Sequence, residues 1–408
     1  MLKDLCALNA TSGREEAVRD YLIAHLPKEV EYFVDPLGSL IVKKKGKRRP
    51  KNRVMLASHM DEVALIITYI TDEGYLKFAP VGGIDSRVLF GKRVKVGPSA
   101  LPGVIGGKAI HQLTKGEKDT VPEAENMLID IGAADKKDAE RLVSLGDNAY
   151  FDSEYVEFGD GFVKSKALDD RVGNLIMLEM LKKDLPFDMT FCFTVQEEIG
   201  TRGATAAAAR IAPDYAIVIE STTAADLPDT PNYKQVCKLG AGAVVGFMDR
   251  GTVYDRALYK QAFELARENG IACQTKTMIA GGNDASAIHK AAGGVRTLAV
   301  SVPCRYIHSP ACVAKKSDVD CVAALVERLA EAFCDAPADL EYKRPNRRAV
   351  TGRPAAEFDD RVYAVCPFGL VRGGRRVGAK RRTRTGHGAG RAERPDQGVC
   401  ERRGKRRF

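Results

Sequence analysis

Val54-Met55-Leu56-Ala57-Ser58-His59-Met60-Asp61 runs four apolar residues into an imidazole and a carboxylate set two residues apart. The apolar run reads as a short buried strand that delivers His59 and Asp61 at its carboxyl end. The arrangement recurs downstream. Met189–Val195 is a second apolar run and leads into Glu197-Glu198. Tyr215–Ile219 ends at Glu220, and Thr297–Val302 ends near His308. Helical patterns separate these runs at Val172–Lys183, Ala204–Arg210, Ala257–Asn269 and Asp284–Ala292. Asp318–Phe333 closes the series as an amphipathic helix, with Ser317 as its expected cap. Such alternation predicts an α/β fold, a mixed sheet with helices on both faces. In sheets of this kind ligands gather at the carboxyl ends of strands, which is where these polar clusters fall.

Outside that frame the texture changes twice. Before it, Ser12-Gly13-Arg14-Glu15 has the pattern of a capping box opening a helix through Leu26, and Leu40-Ile41-Val42 reads as a strand. From 64 to 161, short alternating strands (Leu65–Tyr69, Tyr75–Phe78, Arg93–Val96, Val104–Ala109) are punctuated by Gly and Pro. A helical patch at Lys136–Ser144 interrupts them. This spacing predicts a small β-rich inserted domain, leaving 1–63 and 162–342 as the catalytic domain. Beyond 343 hydrophobic periodicity is lost, which predicts a disordered basic tail over 343–408.

The net charge of +9 is misleading if taken whole. Residues 343–408 hold 20 Lys and Arg against 6 Asp and Glu, whereas 1–342 hold 43 against 48. The body is mildly acidic, so the global charge is no argument for nucleic-acid binding by it. The tail reads either as an arm that meets a polyanion or as an extension with no selected role. The second is the expectation, because no aromatic interleaving or folded motif accompanies the arginines. The ten cysteines are scattered without a C-x-x-C pair, and Met1-Leu2-Lys3-Asp4 leads straight into an amphipathic pattern. A reducing, cytoplasmic setting is expected. No apolar run approaches the roughly 20 residues of a membrane span.

Each polar cluster has a chemical and a bland reading. His59 can bind a metal through its imidazole while Asp61 fixes the ring from behind, or it can be an ordinary polar residue at a strand end. Asp169-Asp170-Arg171 opens a helix, where Asp serves as a cap without any ligand; a carboxylate there can also bridge two cations, and Asp169 is the choice. Adjacent carboxylates at a buried strand's end repel unless cations or protons neutralise them. That favours Glu198 as a metal ligand and Glu197 as a free general base. Glu220 and His308 are weak signals individually. Together, five imidazole and carboxylate ligands can hold two divalent ions about 3.5–4 Å apart, the spacing that clamps an attacking water.

The joint order resembles the tetrahedral-aminopeptidase (M42) family of dinuclear metallo-aminopeptidases, which includes glutamyl aminopeptidase-like enzymes. The matching stretches are SHMDEVALII (58–67), VGGIDSRVLFGKRV (81–94), IDIGAADKKDA (129–139), KALDDRVG (166–173), EEIGTRGA (197–204), GGNDAS (281–286) and YIHSP (306–310). The resemblance implies that His59, Asp169 and Glu220 hold one ion and that Asp169, Glu198 and His308 hold the other. It further implies Glu197 as general base and Asp61 as the orienter of His59, while imidazole and carboxylate ligands themselves suit zinc, cobalt or manganese, with zinc or cobalt expected. Peptides with a free N-terminus are the implied substrates. The implied assembly is a homo-oligomer, from dimer to dodecamer, built through 64–161. Many relatives carry Asp where Glu220 stands, so that ligand would reach further here. Asp284 and Gly282, in the glycine-rich turn, are expected to line the substrate pocket, though a turn that simply needs its glycines reads equally well.

Three other function classes compete, one of them a metal-binding scaffold without catalysis, against which every chemical position is filled. A glycoside hydrolase needs two carboxylates flanking a sugar bond, roughly 5–9.5 Å apart, which adjacent Glu197 and Glu198 supply poorly. A protein that binds polyanions through its tail would show steep salt dependence, lost on truncation after 343.

Overall fold

The structure, a computed structural model, describes residues 1–337. The expectation for the basic tail therefore lies outside the described residues. Helices α1 (Leu2–Ala7) and α2 (Glu16–Ala24) precede a hairpin of β1 (Glu31–Val34) and β2 (Leu40–Lys44), then β3 (Val54–His59). All six residues of β3 are buried, which is why it reads as a continuous apolar run rather than an alternating one.

The chain then leaves this layer. Strands β4 (Ala64–Ile70), β5 (Leu76–Val81), β6 (Arg93–Val96), β7 (Leu101–Gly106), β8 (Leu128–Asp130) and β9 (Asn148–Phe151) close into a barrel. Helices α3 (Lys115–Lys118) and α4 (Lys136–Leu142) interrupt them. The barrel has its own core, in which Leu65, Leu76, Val94, Ile105, Ile129 and Phe151 pack inward. Closure removes the exposed edges that six short strands would otherwise present. Next come β10 (Val156–Phe158) and β11 (Phe162–Ser165).

From there helix and strand alternate: α5 (Leu168–Leu181), β12 (Met189–Thr194), α6 (Arg202–Ile211), β13 (Tyr215–Thr223) and β14 (Ala243–Gly246). The series ends with α7 (Arg256–Glu268), β15 (Cys273–Lys276), α8 (Ala285–Ile288), β16 (Arg296–Cys304), β17 (Cys312–Lys315) and α9 (Lys316–Asp335). Eight strands form one mixed sheet in the order β1-β2-β12-β3-β13-β16-β14-β15, while β10, β11 and β17 form a small separate one. The central four, β12, β3, β13 and β16, are parallel, so their carboxyl ends share one edge of the sheet. Helices α5 and α9 pack on each other and on these strands, and α6 and α8 form a second packed pair against them. Phe191, Phe193, Ile217, Leu325 and Phe333 are fully buried in the core between sheet and helices. The expected α/β class with a mixed, helix-covered sheet is the one observed.

Three local expectations differ. Ser12 and Glu15 form no capping box: α2 starts at Glu16 and receives no side-chain cap, because both side chains are engaged elsewhere. Ser317 lies inside α9, which begins at Lys316. The helix expected over 284–292 is a single turn, α8, followed by a separate short turn at Ala291–Gly293 in which Ala292 has φ 51°. Among the described residues no helix is long and apolar enough to cross a membrane.

Candidate metal centre

The parallel strands bring the separate polar clusters to one place. His59 ends β3, Glu197-Glu198 follow β12, Glu220 lies within β13 and His308 follows β16. His59 is buried, and its Nε2 lies 3.4 Å from Asp169 Oδ1 and 3.7 Å from Glu220 Oε2. His308 Nε2 lies 3.4 Å from Asp169 Oδ2 and 3.4 Å from Glu198 Oε2. One oxygen of Asp169 thus faces each imidazole. The other ring nitrogens are tied to main-chain oxygens: His59 Nδ1 to Asp61 at 3.0 Å and His308 Nδ1 to Gly83 at 2.7 Å. A proton held on Nδ1 by a carbonyl leaves the Nε2 lone pair for a ligand.

The two aspartates at the start of α5 divide the work. Neither follows the helical path, with Asp169 at ψ 109° and Asp170 at ψ 43°. Asp170 accepts the Gly173 N–H at 3.0 Å and the His59 N–H at 3.3 Å, so both its oxygens are occupied. Asp169 Oδ1 and Glu220 Oε1, by contrast, are buried without any hydrogen-bond partner. Ligand atoms of His59, Asp169 and Glu198 converge within 4.8 Å, as do those of His59, Asp170 and Glu220. With Asp170 spent on main-chain amides, Asp169 is the better bridge between the two groups.

Charge makes the same point. Burial pushes the Glu198 carboxyl up to about 7 and raises Glu197 and Glu220 well above the carboxylate range. For Asp169, burial is outweighed by the two imidazoles that face it, His308 and His59, which hold it low. His308, despite burial, is raised to about 10 by Asp169 and Glu198. So many buried acids around two imidazoles carry a large repulsion, which cations relieve. Orphaned carboxylate oxygens, free Nε2 atoms and an acid excess together fit divalent metal.

Asp61 lies against His59, where its spacing suggested, and also holds the acidic turn. Its carboxylate lies 3.5 Å from His59 Nδ1, while its oxygens accept the amides of Glu197 (3.0 Å) and Glu198 (3.1 Å) and the Ser12 hydroxyl (2.6 Å). It fixes the acidic turn, and its own carbonyl orients the ring. Asp284 is fully buried and takes the Thr194 hydroxyl at 2.5 Å at the carboxyl end of β12; Gly282 in the same turn is exposed. A cleft beside Asp169, Glu198 and His308 is walled by Val63, Phe151 and Ala167.

The family described as M42 glutamyl aminopeptidase matches residues 38–325, the span that carries both imidazoles and every carboxylate named above in this centre. The chain belongs to the M42 glutamyl aminopeptidase family. Like its named relatives, this M42 chain is a hydrolase that acts on peptide bonds. It is 38% identical over 337 residues to a putative aminopeptidase of Acetivibrio thermocellus, spanning 82% of this chain and 98% of that protein. It is 33% identical to the glutamyl aminopeptidase of Lactococcus lactis, over 76% of this chain and 88% of that one. The TET1 peptidase of Pyrococcus horikoshii, which can assemble into a tetrahedron or a large octahedral shell, superposes with TM-score 0.72 at 36% identity. That match covers 81% of this chain and 98% of the other.

Sequence reasoning missed one buried group of the M42 chain. Lys166 Nζ donates to both oxygens of Glu62 (2.6 and 2.9 Å) and to the Leu8 carbonyl (2.9 Å). Arg171, fully buried, donates to the Leu5 carbonyl at 3.3 Å and lies 3.5 Å from Glu62. These charges dock the N-terminal segment beside the candidate metal ligands. Both cations lie in the KALDDR stretch, but nothing in the pattern showed that they pair with Glu62 and the N-terminal segment.

Proposed function

We propose that this chain is a dinuclear metal-dependent aminopeptidase that removes single residues from peptides with a free N-terminus. The observation that carries the reading is Asp169, whose two oxygens each face a different, carbonyl-locked imidazole. His59, Asp169 and Glu220 would hold one ion and Asp169, Glu198 and His308 the other. When bound, two divalent ions supply Lewis acidity, which polarises a scissile carbonyl and makes water acidic near neutral pH. Zinc or cobalt suits mixed imidazole and carboxylate ligands.

Glu197 is the general base in this reading. Its backbone is pinned by Asp61, and no hydrogen bond engages its carboxylate among the described residues. Burial raises its proton affinity, reinforced by the Asp284 and Glu198 charges. A carboxylate so raised takes a proton from the attacking water and returns it to the departing amine nitrogen as the C–N bond breaks. The acid excess around the site favours a substrate α-ammonium. A glycoside hydrolase finds no support: Glu197 and Glu198 leave one turn, and Glu198 faces His308.

Residues 1–63 and 162–342 make the catalytic module in this reading, and 64–161 mediates self-assembly into a homo-oligomer. Exposed Tyr69, Phe90, Ile110 and Leu145 on that stretch support a protein contact there. The eight described cysteines, all free, suit a cytoplasmic setting.

The test is a peptide panel with free and acetylated N-termini, assayed with added cobalt or zinc and again after chelation. Metal-dependent release of single N-terminal residues from the free peptides alone is expected. Equal cleavage of acetylated peptides, or activity that survives chelation, would overturn the reading.

A further inference from the structure

The turn that carries Glu197 and Glu198 is held from outside by side chains of distant segments. Gln196, which opens it, has φ 56°, a left-handed conformation that a non-glycine residue adopts only under constraint. Three successive amides then need acceptors. Asp61 takes those of Glu197 and Glu198, and Glu15 Oε1 takes that of Gln196 at 3.0 Å. The same Glu15 oxygen accepts the Gly13 N–H at 2.8 Å, while Ser12 donates its hydroxyl to Asp61 at 2.6 Å. Residues 12–15 thus touch both carboxylates that grip the turn.

Glu15 is an unusual residue to find there. It is 4% exposed and pairs with no Lys, Arg or His among the described residues. It precedes α2 without capping it. A buried carboxyl without a cation is costly unless its hydrogen bonds repay it, and its partners are the amides of Gly13 and Gln196. The segment that bears it is fastened at its other end, where the Ala10 carbonyl accepts the Glu62 N–H, the Ala10 N–H donates to the Glu62 carboxylate, and Lys166 holds the Leu8 carbonyl.

We infer that Glu15 is a positioning residue for the proposed reaction: it fixes Gln196 in its left-handed conformation, so that Glu198 reaches the metal and Glu197 the attacking water. This rests on the roles proposed for Glu197 and Glu198. What matters is an acceptor oxygen at that point, so an amide replaces the carboxyl and a methyl does not.

The test compares full-length wild type with Glu15→Ala, Glu15→Gln and Val18→Ala, the last removing a fully buried side chain of α2 that leaves the turn's hydrogen bonds in place. Readouts are kcat and KM on a peptide with a free N-terminus, cobalt(II) affinity followed by its visible absorption band, and Tm. Glu15→Ala is expected to lose roughly ten- to a hundred-fold in kcat with KM little changed, the scale set by a small misplacement of a reacting group, and to bind cobalt more weakly. Glu15→Gln keeps both. Val18→Ala lowers Tm and leaves kcat of the folded protein unchanged.

The inference is overturned if Glu15→Ala retains wild-type kcat and cobalt affinity, if Val18→Ala reproduces its losses, or if Glu15→Gln falls as far as Glu15→Ala. Wild type that binds cobalt but cleaves no peptide defeats the aminopeptidase reading, while cobalt affinity across the variants still decides the role of Glu15. Wild type that binds no cobalt defeats both.

Discussion

At the scale of single residues, similar carboxyls act differently because their surroundings differ. Glu197 and Glu198 are neighbours, yet Glu198 lies 3.4 Å from the His308 imidazole while Glu197 makes no ion pair among the described residues. Glu197→Gln keeps the shape and removes the base. It is expected to lower kcat by about 10²–10⁴-fold, the usual worth of acid–base catalysis, while metal content measured by elemental analysis stays at the wild-type level. Glu15 supplies a pH prediction. Burial raises its carboxyl to about 7, against hydrogen bonds from Gly13 and Gln196 that lower it, and the nearby Asp61 charge raises it further. The folded state therefore binds this proton more tightly than the unfolded chain does. Its contribution to stability is full below about 4.5 and is lost as pH rises towards about 7. Glu15→Gln mimics the protonated form at every pH, so its Tm should exceed that of wild type by more at pH 8 than at pH 4.5. Equal differences at both pH values would remove the claim.

At the scale of elements, the runs that could be read in the sequence were those buried on both faces. VMLASH of β3 and MTFCFT of β12 are apolar without alternation and end at polar clusters, so strand and ligand were visible together. Less visible were β14, β15 and β17, four residues each, which are too short to show a period. The Ser12–Glu15 capping pattern misled because distant acceptors and donors, Asp61 and Gln196, outcompete the local helix end. The carbonyl that locks His308 comes from Gly83, 225 residues earlier in the chain, and no spacing rule reaches that far. The link just after β5 is tight. Gly82 has φ 85°, and a Cβ there would sit 2.8 Å from Val63 Cγ1 and 3.3 Å from Glu198 Oε2. Gly82→Ala should displace Glu198, weaken metal binding by about tenfold in titration, and cost about 1–2 kcal/mol of stability in denaturant unfolding. Unchanged metal affinity would show that the link does not shape the site.

For the molecule as a whole, the acids gathered at one sheet edge make the fold depend on its ligands' charge. Removing metal leaves Glu197, Glu198, Glu220 and Asp169 to repel one another around two imidazoles. Ligand binding to the folded state alone adds about 2.7 kcal/mol at a hundredfold excess over Kd, so metal-loaded protein should melt several degrees above chelated protein in calorimetry. A chelator that leaves Tm unchanged would argue against occupied sites. The proposed ligands also enter the chain one at a time, with the barrel and several helices between them, and His308 comes from near the end of the described residues. During synthesis the first imidazole leaves the ribosome some 250 residues ahead of the second. A growing chain therefore has no complete centre until nearly all of the catalytic sheet has been made, and the proposed peptide-cleaving activity stays silent while the protein is still a nascent peptide itself.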